Sequence, residues 1–258
     1  MFISSTRFLS IVLFLLASSV VSIASFSGQV AAQEALAEQK KTVGSDQDGV
    51  AASVRPGINK DFLDPELPVE QWVERFQIES REVFAGRKEI LSALELSPGE
   101  AVADIGCGTG LFLEPLSKAV GEKGIVFAVD ISPKFIKHLS ERAKSESLSN
   151  VEVVLCSDRS TLLKPSSIDV ALVCDTYHHF EYPQQTLKSI YQSMKEGGLL
   201  VVVDFDRVEG KSRPWTMEHV RAGKEVFRKE IEEAGFKFEK EIPVEIFKEN
   251  YLLTFRKS

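Results

Sequence analysis

Cysteine is scarce in this chain: three in 258 residues, Cys107, Cys156 and Cys174. None forms a C-x-x-C pair or stands at a Cys/His spacing suited to zinc, so a disulfide scaffold and a cysteine-based zinc module are both excluded. Each lies inside or just beyond an apolar run, where cysteine behaves as a small hydrophobe. Blocks of one charge are missing too. The 31 basic and 38 acidic residues are interleaved and give a net charge of -7. A non-specific grip on nucleic acid or anionic lipid needs clustered Lys and Arg, so neither partner is expected. Also absent is an apolar run of the roughly 20 residues that span a bilayer comfortably. The longest, Phe8 to Ala24, is shorter and is interrupted by four serines.

What is present, 43% hydrophobic and 27% charged residues, describes a water-soluble globular protein. Residues 1–32 read as a signal peptide: an apolar stretch after Arg7, then small-residue sites at Ser22-Ile23-Ala24 and Val30-Ala31-Ala32 that a signal peptidase could cut. A cleaved signal is favoured over a permanent anchor through residues 8–24, which predicts an exported protein, periplasmic or secreted, with no membrane span after cleavage. Residues 33–57 are polar, small and aperiodic, a flexible linker. Residues 58–258 form the folded domain, monomeric or homodimeric. It opens with a helical extension in which Val69, Trp72, Val73 and Phe76, then Val83, Phe84, Ile90, Leu91 and Leu94, recur at helical spacing.

From Ala101 short β-branched runs alternate with longer helical stretches. The runs 101–105, 124–130, 151–156, 168–174 and 198–204 are expected strands, apolar enough to be buried on both faces. Residues 111–120, 133–147 and 183–195 are expected crossover helices, the second opening on Ser132 as cap and Pro133 at the first helical position. Such repeats give an α/β, doubly wound, Rossmann-like sheet. A helix over 216–234, stopped by Gly235, precedes two strands, 236–242 and 250–256, close enough to pair antiparallel.

Ligands of an open parallel sheet bind beyond the carboxyl ends of its strands, where strand order reverses. Beyond the first strand stands Asp104-Ile105-Gly106-Cys107-Gly108-Thr109-Gly110, an acid followed by three glycines at alternate positions. Glycine lets a ligand approach the backbone without a Cβ in the way, and the next helix supplies free amides at its start. The dinucleotide fingerprint G-x-G-x-x-G is not met, because Leu111 stands where the third glycine would be. Asp130 closes the second strand, where a carboxylate can take both hydroxyls of a ribose or cap the following helix.

The pattern Asp104-x-Gly106-x-Gly108-x-Gly110 resembles the first motif of class I S-adenosylmethionine-dependent methyltransferases. Cys174-Asp175-Thr176-Tyr177-His178-His179-Phe180 resembles that family's fourth motif, as extended in quinone-biosynthesis C-methyltransferases. Met194-Lys195-Glu196-Gly197-Gly198 resembles its turn before the fifth strand, with Glu in place of the usual Pro. The resemblance runs from about Val69 to Arg256. It implies a seven-stranded sheet with an antiparallel last strand and S-adenosyl-L-methionine as cofactor. The implied cofactor contacts are Asp104, Gly106, Cys107, Gly108, Gly110, Asp130 and Ile131, then Asp158 after the third strand and Cys174 and Asp175 after the fourth.

The expected reaction is methyl transfer to a small-molecule or lipid-like acceptor. A non-catalytic exported cofactor-binding or scaffold protein of the same fold is the alternative. His178, His179 and Tyr177 are the candidates to handle an acceptor proton, since imidazole titrates near neutral pH. His219 and Arg221 are candidates for the acceptor pocket. No metal is expected: a site built from His178, His179 and Asp175 is disfavoured because adjacent histidines point apart in an extended chain.

Overall fold

The computed structural model describes residues 52–78 and 81–258. The expected signal peptide and most of the expected linker lie outside the described residues. The end of the linker lies within them, tied to Glu181 by three contacts. The Val54 amide donates to the Glu181 carbonyl at 2.9 Å, and the Ser53 hydroxyl and Gly57 amide donate to the Glu181 carboxylate. Among the described residues no helix is long and apolar enough to cross a membrane.

Three short helices come first: α1 (Val69–Phe76), α2 (Glu82–Ala85) and α3 (Arg87–Ala93). The alternating region then runs β1 (Ala101–Ile105), α4 (Leu113–Val120), β2 (Ile125–Asp130), α5 (Pro133–Ser145), β3 (Val151–Leu155) and β4 (Ile168–Cys174). A 3₁₀ turn (Tyr177–His179) leads to α6 (Pro183–Ser193), β5 (Met194–Phe205), α7 (Pro214–His219), α8 (Lys224–Glu233), β6 (Phe236–Glu241) and β7 (Asn250–Lys257).

The seven strands form one sheet in the order β3-β2-β1-β4-β5-β7-β6. The first five are mutually parallel, and β7 slots antiparallel between β5 and β6. The strand order reverses at β1 and β4, so the loops after these two strands face each other across the switch point.

Period-2 alternation sorts the side chains of the sheet. In β5, Leu199, Val201 and Val203 pack with Ile90, Leu94, Leu116 and Val120 on one face. Leu200 and Val202 pack with Leu187, Ile190, Phe227 and Ile231 on the other. Burying one such side chain contributes about 1.5–3 kcal/mol, so the two faces together set the register. Helix α5 starts as its sequence signals: the Ser132 hydroxyl accepts from the Phe135 amide and Pro133 takes the first turn. Its buried stripe, Phe135 and Leu139, docks it against the sheet.

The single helix expected over 216–234 is two. Val220 and Gly223 are extended, at φ -87° and -84°. Gly223 presses against the chain, since a Cβ there would meet the Arg207 carbonyl at 2.8 Å. The break ends α7 at His219 and starts α8 afresh.

Candidate active site

A cleft of about 560 Å³ opens over the switch point. Its floor is the loop after β1, and its three glycines serve different ends. All have positive φ, +71° at Gly106, +54° at Gly108 and +81° at Gly110, the region glycine enters without strain. A Cβ on Gly106 would strike the Thr176 methyl at 2.1 Å, and one on Gly110 would strike Leu139 at 2.6 Å. Gly106 thus lets the β1 and β4 loops touch, where the Thr176 hydroxyl donates to the Gly106 carbonyl at 3.1 Å. Gly110 lets α5 close in, and Arg142 from that helix donates to the carbonyls of Thr109 and Gly110. A Cβ on Gly108 would meet only the Phe76 ring of α1, at 3.3 Å, and that ring lines the cleft.

Two buried acids stand beside this loop. Asp130, at the end of β2, accepts the Gly108 amide on Oδ2 and the Ser132 amide on Oδ1, each at 2.8 Å. It therefore ties the glycine loop to the start of α5. Burial raises its pKa to about 6, against the opposing pull of those amides. Asp104 lines the cleft at 4% exposure, and among the described residues it has no hydrogen-bond partner. Burial, reinforced by the charge of Asp130, raises its pKa from 3.8 to about 7. An unpaired carboxylate out of water is costly, and this one faces the space where a cationic ligand could pair with it.

Cys107, Ile131, Cys174 and Asp175 also line the cleft. Asp175 has φ +48° and is held on both oxygens, by Arg81 and by the Asn250 amide nitrogen at 2.9 Å. Burial raises its pKa, with Arg81 opposing. Burial likewise pushes the Cys107 and Cys174 thiols well up and that of Cys156 to about 12, so none is a thiolate at neutral pH.

Helix α1 and the preceding loop roof the cleft, with Phe62, Trp72 and Phe76 in a chain of ring contacts at 4.8 and 5.3 Å. At the far end lie His178, His179 and His219 with Phe205, Arg213 and Trp215. The His178 Nδ1 is 2.7 Å from the fully buried Asp204 carboxylate, and the His219 ring stacks on Trp215 at 4.6 Å. Burial and the neighbouring imidazoles hold the His179 pKa well below 6.5 and that of His219 at about 4.

Four residues expected in the site do not line the cleft. Tyr177 is fully buried in the core on the opposite side of the 3₁₀ turn from its histidine neighbours. Its hydroxyl donates to Glu230 at 2.9 Å. Arg221, expected in the acceptor pocket, is drawn to the same Glu230 by two hydrogen bonds. Asp158 pairs with Arg159 in a part-exposed loop and does not line the cleft. Gly110 shapes the loop from behind.

Sequence reasoning passed over Asp204, and it expected the helices before the sheet to cover one edge of the cleft without singling out Phe62, Trp72 and Phe76 as lining it. A charged residue ending the apolar run Leu-Leu-Val-Val-Val was the available signal for Asp204. Nothing local distinguishes a roof aromatic from a core one.

Residues 103–202 match the methyltransferase domain family. A SAM-dependent methyltransferase from Aquifex aeolicus is 27% identical with a TM-score of 0.63, over 73% of this chain and 98% of that one. An uncharacterized 37.1 kDa protein in transposon TN4556 of Streptomyces fradiae is 35% identical over 117 residues, 45% of this chain and 33% of its own. The ubiquinone/menaquinone biosynthesis C-methyltransferase UbiE of Wigglesworthia glossinidia brevipalpis is 25% identical over 112 residues, 43% of this chain and 45% of its own. The chain thus spans less than half the length of these two curated relatives. With the sheet order, the reversed β7 and the glycine loop beside two buried acids, these matches support a class I S-adenosylmethionine-dependent methyltransferase, with residues 103–202 as its methyltransferase domain.

Proposed function

We propose that the chain transfers a methyl group from S-adenosylmethionine to a small-molecule acceptor held at the histidine end of the cleft. The observation that carries this reading is Asp104: a buried, unpartnered carboxylate facing the cleft next to a glycine whose missing side chain leaves the backbone open. The cofactor carries an ammonium and a sulfonium, and an acid without a cation of its own suits it. When bound, it supplies an activated methyl group.

The residues of the chain then have separable tasks. Asp104 pairs with the ammonium, which restores the carboxylate to its charged form. Asp130 keeps free lone pairs after accepting the Gly108 and Ser132 amides, and those lone pairs take ribose hydroxyls. Ile131, beside it on the cleft wall, packs on the nucleoside. Phe62, Trp72 and Phe76 exclude water from the cleft. Alignment of the reacting partners in a dry site is worth about 7–11 kcal/mol, so a dedicated base is not obligatory.

Phe205 and Trp215 give the acceptor end a flat aromatic lining, and His178, His179 and His219 give it nitrogen donors and acceptors. A small, partly apolar molecule with a polar reacting atom fits this lining, in keeping with the quinone-biosynthesis relative. The test is incubation of the full chain with methyl-labelled S-adenosylmethionine and a small-molecule cell extract. A labelled product with one equivalent of S-adenosylhomocysteine per methyl supports the reading. Cofactor binding with no labelled product would return the chain to the non-catalytic alternative.

A further inference from the structure

His178, His179 and His219 each offer a ligand nitrogen, and the three nitrogens lie within 4.8 Å of one another. Adjacent histidines converge here because Tyr177–His179 is a 3₁₀ turn and not extended chain, which brings the His178 and His179 rings to 4.3 Å. The His179 and His219 Nε2 atoms are 3.4 Å apart. That is long for a hydrogen bond. It equals the spacing of about 3.3–3.4 Å that two nitrogens take on a tetrahedral metal at about 2.0–2.1 Å.

The surroundings agree with this. His178 gives its Nδ1 proton to Asp204, whose carboxylate also accepts the backbone amides of His178 and Phe205. A carboxylate behind an imidazole fixes the tautomer so that Nε2 presents a lone pair, the arrangement that orients metal-binding histidines. The His219 plane is set by stacking on Trp215. Among the described residues no carboxylate hydrogen-bonds to the His179 or His219 ring, and their Nε2 atoms face each other.

We propose that His178, His179 and His219 bind a divalent transition-metal ion of the Zn²⁺ class. Three imidazoles suit zinc and its neighbours, and a three-histidine set leaves a position for a non-protein ligand. In the cleft that position takes an oxygen or nitrogen donor of a small molecule. The metal site stands on these contacts alone, whereas its place at the acceptor end rests on the methyltransferase reading.

The test uses the full chain, stripped with a chelator and titrated with Co²⁺ by visible absorption and with Zn²⁺ by metal analysis after gel filtration. One equivalent of Zn²⁺ should be retained, and Co²⁺ should give a four- or five-coordinate d–d band. His219→Ala should weaken binding at least ~100-fold, and Asp204→Asn about 10- to 100-fold. His138→Ala, on α5 outside the cluster, should leave it unchanged. Binding of S-adenosylhomocysteine by each variant reports that the cleft is folded. Wild type that binds S-adenosylhomocysteine but retains no metal overturns the proposal, as does metal retention that His219→Ala does not weaken. Metal retained without S-adenosylhomocysteine binding upholds the metal site and refutes the methyltransferase reading instead.

Discussion

The Asp130 carboxylate accepts the Gly108 amide at 2.8 Å, so the end of one strand fixes the loop that follows its neighbour. The same side chain accepts the Ser132 amide at the start of α5. One acid thereby organises both backbone segments that flank a ligand, and it stays buried while doing so.

Asp130→Ala removes both acceptors and leaves two amides unsatisfied, at about 1–3 kcal/mol each where buried. The expected outcome is a lower Tm together with at least a tenfold loss in S-adenosylhomocysteine affinity by calorimetry. Asp130→Asn keeps one acceptor oxygen and should fall between. An unchanged affinity in the alanine variant would remove Asp130 from the ligand site.

Asp104 makes stability and binding oppose each other. Its folded pKa, about 7, lies above the ordinary 3.8, so its neutral form favours the fold at low pH. That contribution is full below about pH 3.8 and is lost as pH rises through 7. The rise corresponds to an upper bound on the order of 4 kcal/mol. Ligand-free Asp104→Asn should therefore melt above wild type at pH 8, with the gap closing toward pH 4, while its affinity for S-adenosylmethionine falls. Melting curves at several pH values check the first part and calorimetry the second.

The glycines separate by the same logic. Gly106→Ala places a Cβ against Thr176 at positive φ and should cost the fold about 3 kcal/mol or more. Gly108→Ala meets only the edge of the Phe76 ring and should cost about 1–2 kcal/mol. Its larger effect should be on cofactor affinity, because the added methyl projects into the cleft. Chemical denaturation of both variants, with a titration of the second, distinguishes them.

Tyr177→Phe should act on stability alone. Loss of its hydrogen bond to Glu230 costs about 1 kcal/mol, and Glu230 keeps Arg221. Cofactor affinity should not move. A large drop in affinity with an unchanged Tm would put Tyr177 back at the reacting end.

Much of the fold was legible because long periodic segments carry their own signal. The buried strands, the Ser132-Pro133 helix start and the stop at Gly235 are chemical punctuation that tertiary packing did not override. The floor of the site was legible for a related reason: three alternate glycines after a strand have few uses other than close backbone approach. The far end was not. A three-residue 3₁₀ turn has no period to detect, so Tyr177, His178 and His179 read as extended, and the turn sends the tyrosine into the core and the histidines into the cleft. The break at 220–223 was hidden by continuing helical spacing, although Gly223 stood in it, and Arg221 went with the break to Glu230. Asp158 shows the limit of motif position, since its carboxylate pairs with Arg159 and does not line the cleft.

The proposed function requires the glycine loop, Asp104 and Asp130 to form a berth for a nucleoside carrying a cationic amino-acid tail. Calorimetric titration of the full chain with S-adenosylmethionine, S-adenosylhomocysteine and NAD tests it most directly. One-to-one binding of the first two and no heat from NAD are expected. A folded protein that binds neither sulfur compound, or that prefers NAD, would contradict it.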